Sequence, residues 1–346
     1  MVAVEVIDAR DQGLREEEFQ RIAALLKEGG LVAIPTETVY GLAALSTHEE
    51  GVRRIFEAKG RPSTNPLILH VDSVEQARAL TSHWPPVAEK LARAFWPGPL
   101  TLVLPKAPSV SPALTAGLES VALRMPAHKV AQAIIAAAGP LAAPSANRYT
   151  ELSPTRASHV LKGLGERVDL IVDGGPCTVG LESTILSLLD ETPRILRPGM
   201  ISKVEIENLL GHEILERKGE IFQQGQAHPS PGLSRKHYSP QAPLILLEEK
   251  EFFAALQAAA QKNEEGQEDR YRYLGLSSPE VEDSVLPEPG ERLFLPPEPE
   301  QYAALLYQSL HHLDGADIDG IYLQAPPSGT AWNAIWDRLR RALSLT

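Results

Sequence analysis

Three observations predict an α/β architecture for this chain. Short apolar runs bounded by Gly and Pro recur along its first two thirds. Amphipathic helical stretches lie between many of them. The same alternation restarts at Leu244, after a Gln- and then Pro/Ser-rich interruption. A length of 346 residues suits roughly two domains of about 150 residues each. At 43% hydrophobic residues, both can bury proper cores.

The elements follow in order. Phe19, Ile22, Ala23 and Leu26 form one helical face that ends at Gly29-Gly30, and residues 31–34 run as a buried strand into Pro35. A second helix carries Val52, Ile55 and Phe56 at i, i+3, i+4 spacing, with Lys59 at i+7 on the same stripe and Gly60 as a natural stop. Strands are predicted at 67–71, 100–104, 121–124, 141–143, 170–172, 184–186 and 194–196, and a helix over 202–210 closes the unit. From Gly211 to Pro240 the pattern dissolves into a connector. A second unit then reads strand 244–247, helix 251–261, strands 271–274 and 293–295, helix 302–313, strand 321–323 and a last helix with Trp332, Ile335, Trp336 and Leu339 inward. This is a small three-layer α/β module, and without G-x-G-x-x-G it gives no support for a dinucleotide site. The division expected is 1–212, a linker over 213–240, and 241–346.

Charge narrows the classes of function. The net charge is −12, and residues 241–346 carry 8 Lys and Arg against 18 Asp and Glu, leaving the remainder close to neutral. Such a surface is a poor partner for a phosphate backbone, so no stable complex with long nucleic acid is expected. The single Cys177 excludes an internal disulfide and a cysteine-based zinc site, and fits a reducing cytoplasm. No signal peptide is read at the N-terminus, and the most apolar window, 130–146, is too short and interrupted to cross a bilayer.

No P-loop, G-x-S-x-G, H-E-x-x-H or EF-hand pattern is present, so a site must be assembled from strand ends. Lys59 and Arg61 are two cations at a helix end. Their spacing fits anion binding and fits plain compensation of the helix dipole equally well. Pro35 to Gly41 is a hydroxyl-bearing turn leaving a strand; Asn65 and His70 flank the next one; Arg124, Ser145, Asn147, Ser183 and Arg197 lie on or after later strands. Each has an ordinary structural reading by itself. Together they describe a cation- and hydroxyl-rich cleft that would bind a polyanion and a small polar molecule, catalysing by alignment and charge neutralisation.

The runs Ile34-Pro35-Thr36-Glu37-Thr38-Val39-Tyr40-Gly41-Leu42, Lys59-x-Arg61, Asn65-Pro66-Leu67, Trp96 to Thr101, Arg124-x-Pro126, Ser145-Ala146-Asn147, Glu182-Ser183-Thr184-Ile185 and Arg197-Pro198-Gly199 resemble the YrdC-like family. With the connector Ser230-Pro231-Gly232 to His237-Tyr238-Ser239-Pro240 and the second unit, the chain resembles the long form of the threonylcarbamoyl-AMP synthases over nearly its full length. The resemblance implies a YrdC-like twisted open mixed sheet with helices, a linker, and a small Rossmann-like domain. It implies that L-threonine, bicarbonate and ATP are converted to L-threonylcarbamoyladenylate and pyrophosphate, for use by a separate tRNA threonylcarbamoyl transferase. Thr38, His70, Arg124, Ser183 and Ala143 are then expected at threonine. Lys59, Arg61, Asn65, Ser120, Ser145, Asn147, Ser153, Arg197 and Tyr238 are expected at ATP. Lys59, Arg61, Ser145 and Asn147 are the catalytic candidates. Mg²⁺ is expected to arrive with ATP, with no protein metal site, and residues 230–240 to act as a lid over the nucleotide. Two competing readings are a carbamoyl-transfer enzyme of the hydrogenase-maturation type, against which the single cysteine argues, and an RNA-binding or ribosome-associated module, which the near-neutral first unit weakens.

Overall fold

A computed structural model describes residues 4–10, 13–217, 237–265, 269–277 and 292–343. They form two compact units: residues up to 149 together with the stretch from 153 into the connector, and residues 150–152 together with the stretch from the end of the connector onward. Among the described residues no helix is long and apolar enough to cross a membrane.

The first unit is an α/β mixed sheet of eleven strands. Across it run β1 (Glu5–Asp8), β8 (Leu170–Asp173), β2 (Val32–Ile34), β3 (Gly41–Leu45), β7 (Leu141–Ala142), β4 (Ile68–His70), β6 (Ser120–Arg124), β5 (Leu100–Pro105), β9 (Thr184–Ser187), β10 (Arg194–Arg197) and β11 (Leu215–Glu216). Helix α2 (Glu49–Lys59) shows how local chemistry fixes a boundary. His48 Nδ1 accepts from the Gly51 N–H, Glu49 and Glu50 occupy the first turn, and Gly60 ends the helix at φ 64°. The largest core packs Leu69, Leu102, Leu123 and Leu186 against Ile55, Leu91 and Ile206. A second core joins Val32, Ile34, Ala43, Leu141 and Val172 to Ile22 and Leu26 of α1 (Glu16–Lys27) and to Ile134 and Ile135 of α6 (Lys129–Ala138).

Three strands depart from the sequence reading. β1 shows only one buried residue, so it carries no alternation to read. β3 lies where a turn was expected to continue; its Gly-Leu-Ala-Ala-Leu run lacks β-branched residues and is made a strand by pairing with β2 and β7. β11 falls inside the expected connector, where it pairs with β10. Cys177 is buried, and its thiol is pushed well above the ordinary range by burial first and by the Glu37 charge second.

The second unit has a four-stranded parallel sheet in the order β12 (Leu244–Leu247), β15 (Gly320–Gln324), β13 (Tyr271–Leu276), β14 (Arg292–Leu295). Helix α9 (Glu249–Glu264) crosses from β12 to β13, and α10 (Pro299–Leu313) returns from β14 to β15. Right-handed crossovers running in opposite directions put these helices on opposite faces, giving the expected three layers. Phe252, Leu256 and Ala259 of α9 pack on Tyr273. Helix α11 (Asn333–Ala342) contributes Arg338, which is fully buried, pairs with Asp337 at 2.6 Å and lies over the Tyr238 ring at 5.3 Å. Residues 150–152 belong here because the Ser239 N–H donates to the Thr150 carbonyl at 3.0 Å and Glu151 bridges to Ser239.

Candidate active site

Strand alternation builds a floor. Ile68, Ala122, Val103 and Ile185, with Leu196, form a small apolar cluster separate from both main cores of the first unit. Ile68 is paired with Ala122, and Ala122 with Val103. Two residues further along the same face of β4 and β6 stand His70 and Arg124, themselves a register pair. Two residues back along β5 from Val103 is Thr101, and two back from Ile185 is Ser183. At the other end of β6, on the same face, is Ser120. Four residues of strand separate Ser120 from Arg124, about 13 Å. The candidates therefore divide between two ends of one apolar strip.

At the Arg124 end every polar group is buried. Arg124 donates from Nε to the Gly98 carbonyl at 3.3 Å. Its Nη2 lies 2.7 Å from Glu37 Oε1, at an angle poor for a hydrogen bond, so this contact is charge attraction. His70 is held neutral: burial first, and the Arg124 charge second, lower its pKa from 6.5 to about 3. Its Nδ1 is buried without a hydrogen-bond partner among the described residues. Ser183 and Thr101 share a hydroxyl–hydroxyl bond of 2.7 Å, and Arg197 donates to the Ser183 carbonyl at 2.9 Å and to its hydroxyl at 3.3 Å. Arg197, read from the sequence with ATP, is thus bonded to a residue of the threonine group.

The second group gathers around the chain entering β4 and leaving β7. Lys59 Nζ donates to the carbonyls of Ser145 and Asn147, both at 2.6 Å. Arg61 donates to the carbonyls of Asn65 at 3.2 Å and Pro66 at 2.8 Å. Each cation fixes the main chain of another candidate. Asn65 is itself buried, and neither atom of its amide has a hydrogen-bond partner among the described residues. The 145–147 loop is also tied to the 35–41 turn, through a Gly41–Ser145 bridge and an Ala146 N–H to Tyr40 carbonyl bond of 2.8 Å.

Thr38 sits in that turn, 2.9 Å from the Thr36 hydroxyl, and Thr36 in turn donates to the Val39 carbonyl at 2.6 Å. Ala143 offers its buried backbone, with its N–H on the Ile68 carbonyl at 3.1 Å. Ser153 is buried and donates to Glu182. Tyr238 belongs to the second unit, where it is buried beside His237, Tyr307 and Arg338 with φ 62°. The part of the expected lid over 230–236 lies outside the described residues. Glu37, Thr101 and Glu182 were not among the candidates from sequence. Glu37 had one readable signal, a carboxylate set between two hydroxyls in a turn at a strand end.

Comparison with known proteins identifies the family. Residues 24–199 match the Sua5/YciO/YrdC family model, described as telomere recombination, and residues 201–344 match the model for the threonylcarbamoyl-AMP synthase C-terminal domain. The chain is 41% identical to a threonylcarbamoyl-AMP synthase of Bacillus subtilis, covering 97% of this chain and 96% of that protein. It is 38% identical to the synthase of Pyrococcus abyssi, covering 97% of each. The crystal structure of P. abyssi Sua5 complexed with L-threonine superposes with a TM-score of 0.87, covering 98% of both chains at 38% identity. The chain belongs to the threonylcarbamoyl-AMP synthase family, in its two-domain Sua5 form.

Proposed function

We propose that this enzyme condenses L-threonine, bicarbonate and ATP into L-threonylcarbamoyladenylate and pyrophosphate, which a separate transferase uses to modify the adenosine beside the anticodon of certain tRNAs. One observation carries the reading: two groups of buried polar side chains joined by the 35–41 turn, which meets Arg124 through Glu37 and the 145–147 loop through Tyr40 and Gly41, in a chain that matches the family over nearly its whole length. The bound L-threonine named for the P. abyssi structure supports threonine as the amino acid.

In this reading Arg124 meets the threonine carboxylate. Among the described residues its Nη1 has no protein partner, and charge-assisted bonds to a guanidinium are the strong kind. Neutral His70 and the Ser183 and Thr38 hydroxyls suit the amine and hydroxyl, because a neutral imidazole can accept from an ammonium where an imidazolium would repel it. The amine, once it has lost its extra proton to solvent, attacks the bicarbonate carbon, and one C–O bond breaks as water leaves, giving a carbamate. A carbamate oxygen then attacks the α-phosphorus of ATP, the bond to the β-phosphate oxygen breaks, and pyrophosphate departs. Asn65, Ser145 and Asn147 are assigned to the nucleotide, with Ser120 and Ser153 at its margins. Lys59 holds the 145–147 loop and Arg61 the 65–66 segment in position, and both place positive charge where the phosphates gather. Mg²⁺ enters with ATP as part of the substrate.

The test is pyrophosphate release with each substrate omitted in turn. Release is expected only when threonine, bicarbonate and ATP are all present. Equal release from ATP alone would end the proposal.

A further inference from the structure

Glu37 has no place in the reaction as derived above, yet its carboxylate lies against Arg124 at the threonine end. Its side chain is buried and spans two groups. One oxygen faces Arg124 Nη2 at 2.7 Å, and the other accepts from the Ala127 N–H at 3.0 Å. Ala127 follows Arg124 by three residues, so one carboxylate grips both the guanidinium and the turn that carries the chain from β6 into α6. The backbone of Glu37 and its neighbour is itself held. The Glu37 carbonyl accepts from the Val179 N–H at 2.7 Å, and the Thr36 hydroxyl next to it accepts from the N–H groups of Thr38 and Val39 at 3.2 Å.

We propose that Glu37 is a positioning residue for substrate recognition. It sets the plane of the Arg124 guanidinium so that the edge it does not occupy is presented to the carboxylate of the amino-acid substrate. A hydrogen bond from Nε to the Gly98 carbonyl and the charge contact of Nη2 with the Glu37 carboxylate hold two of the guanidinium nitrogens. A guanidinium is planar, so fixing two of its nitrogens fixes the third. The Glu37 charge also offsets that of Arg124 in a site shielded from water, where a lone cation would carry a large desolvation cost. The result is a preorganised fork that pays little ordering entropy when substrate arrives.

This inference rests on the proposed synthase reaction, and the experiment separates the two. Threonine binding is measured by calorimetry on the full chain, and KM for threonine and for ATP by pyrophosphate release, for the wild type, Glu37→Ala and Glu37→Gln. Glu37→Ala is expected to weaken threonine binding and raise its KM on the order of 10-fold, leaving KM for ATP within about twofold. Glu37→Gln keeps an acceptor oxygen without the charge, and its loss should fall between wild type and Glu37→Ala. A general structural role would move both KM values together. Threonine affinity within about twofold of wild type in folded Glu37→Ala, or an equal rise in both KM values, overturns the positioning role. If Glu37→Ala does not fold, the same two criteria applied to Glu37→Gln decide. Wild type that releases no threonine-dependent pyrophosphate but binds threonine more tightly than Glu37→Ala would fail the proposed reaction and leave the role of Glu37 standing.

Discussion

The two units bury positive charge in different ways. In the first, Lys59, Arg61 and Arg197 donate to backbone carbonyls, and Arg124 shares one carbonyl and one carboxylate. In the second, Arg338 lies against the carboxylate of its sequence neighbour, Asp337, and beneath an aromatic ring. A carbonyl orients a cation without cancelling it; a carboxylate cancels it. The carbonyl contacts of the first unit orient their cations, whereas Asp337 offsets the charge of Arg338 inside the fold; Arg124, with the Gly98 carbonyl on Nε and Glu37 beside Nη2, combines the two. Cations assigned to a ligand thus stand against one that staples a core.

Lys59→Ala tests the first kind and should have the largest effect. It removes the ammonium that ties together the Ser145 and Asn147 carbonyls, and pyrophosphate release should fall about 100-fold or more. The accompanying loss of stability should be about 1–3 kcal/mol, from two carbonyls left short of a donor. Activity within about threefold of wild type would make Lys59 a staple like Arg338.

His70 reports the electrostatic character of the same region through pH. Its folded pKa, about 3, lies below the ordinary 6.5, so the unfolded chain binds its proton more readily. Stability from this group is therefore complete above 6.5 and is lost as pH falls from 6.5 toward 3. At about pH 5 the loss should be on the order of 2 kcal/mol. Urea unfolding across this range should show a shallower decline for His70→Gln, and parallel curves for both proteins would contradict the assignment.

Arg338→Leu tests the second kind. Asp337 keeps its bond to Arg341 at 2.8 Å, so this carboxylate is not orphaned and the cost should be about 1–2 kcal/mol. Threonine affinity, measured by calorimetry, should not change. A drop in that affinity would blur the distinction between ligand-facing and core-stapling cations.

The sequence carried some of this and hid the rest for physical reasons. The α2 stop at Gly60, the β5 and β10 strands and the alternating strands and helices of the second unit were all legible, since each leaves a local pattern of period or punctuation. β3 was not, because its strand character comes from neighbours on both sides. Arg124 could be picked out as a cation at a strand end. Its partner Glu37 lies far away in sequence, and a contact of that kind leaves no spacing to read. Backbone acceptors are more elusive still: nothing in the identity of Ser145 or Asn147 announces that their carbonyls hold Lys59.

The lone thiol has a practical consequence. Cys177 is buried and resists deprotonation, so at neutral pH it is a poor target for maleimides. The native chain is therefore a silent background for spectroscopic probes. Val204, half-exposed on the helix Lys203–Leu210, is a site where Val204→Cys would take a single fluorophore or spin label without any native cysteine having to be removed.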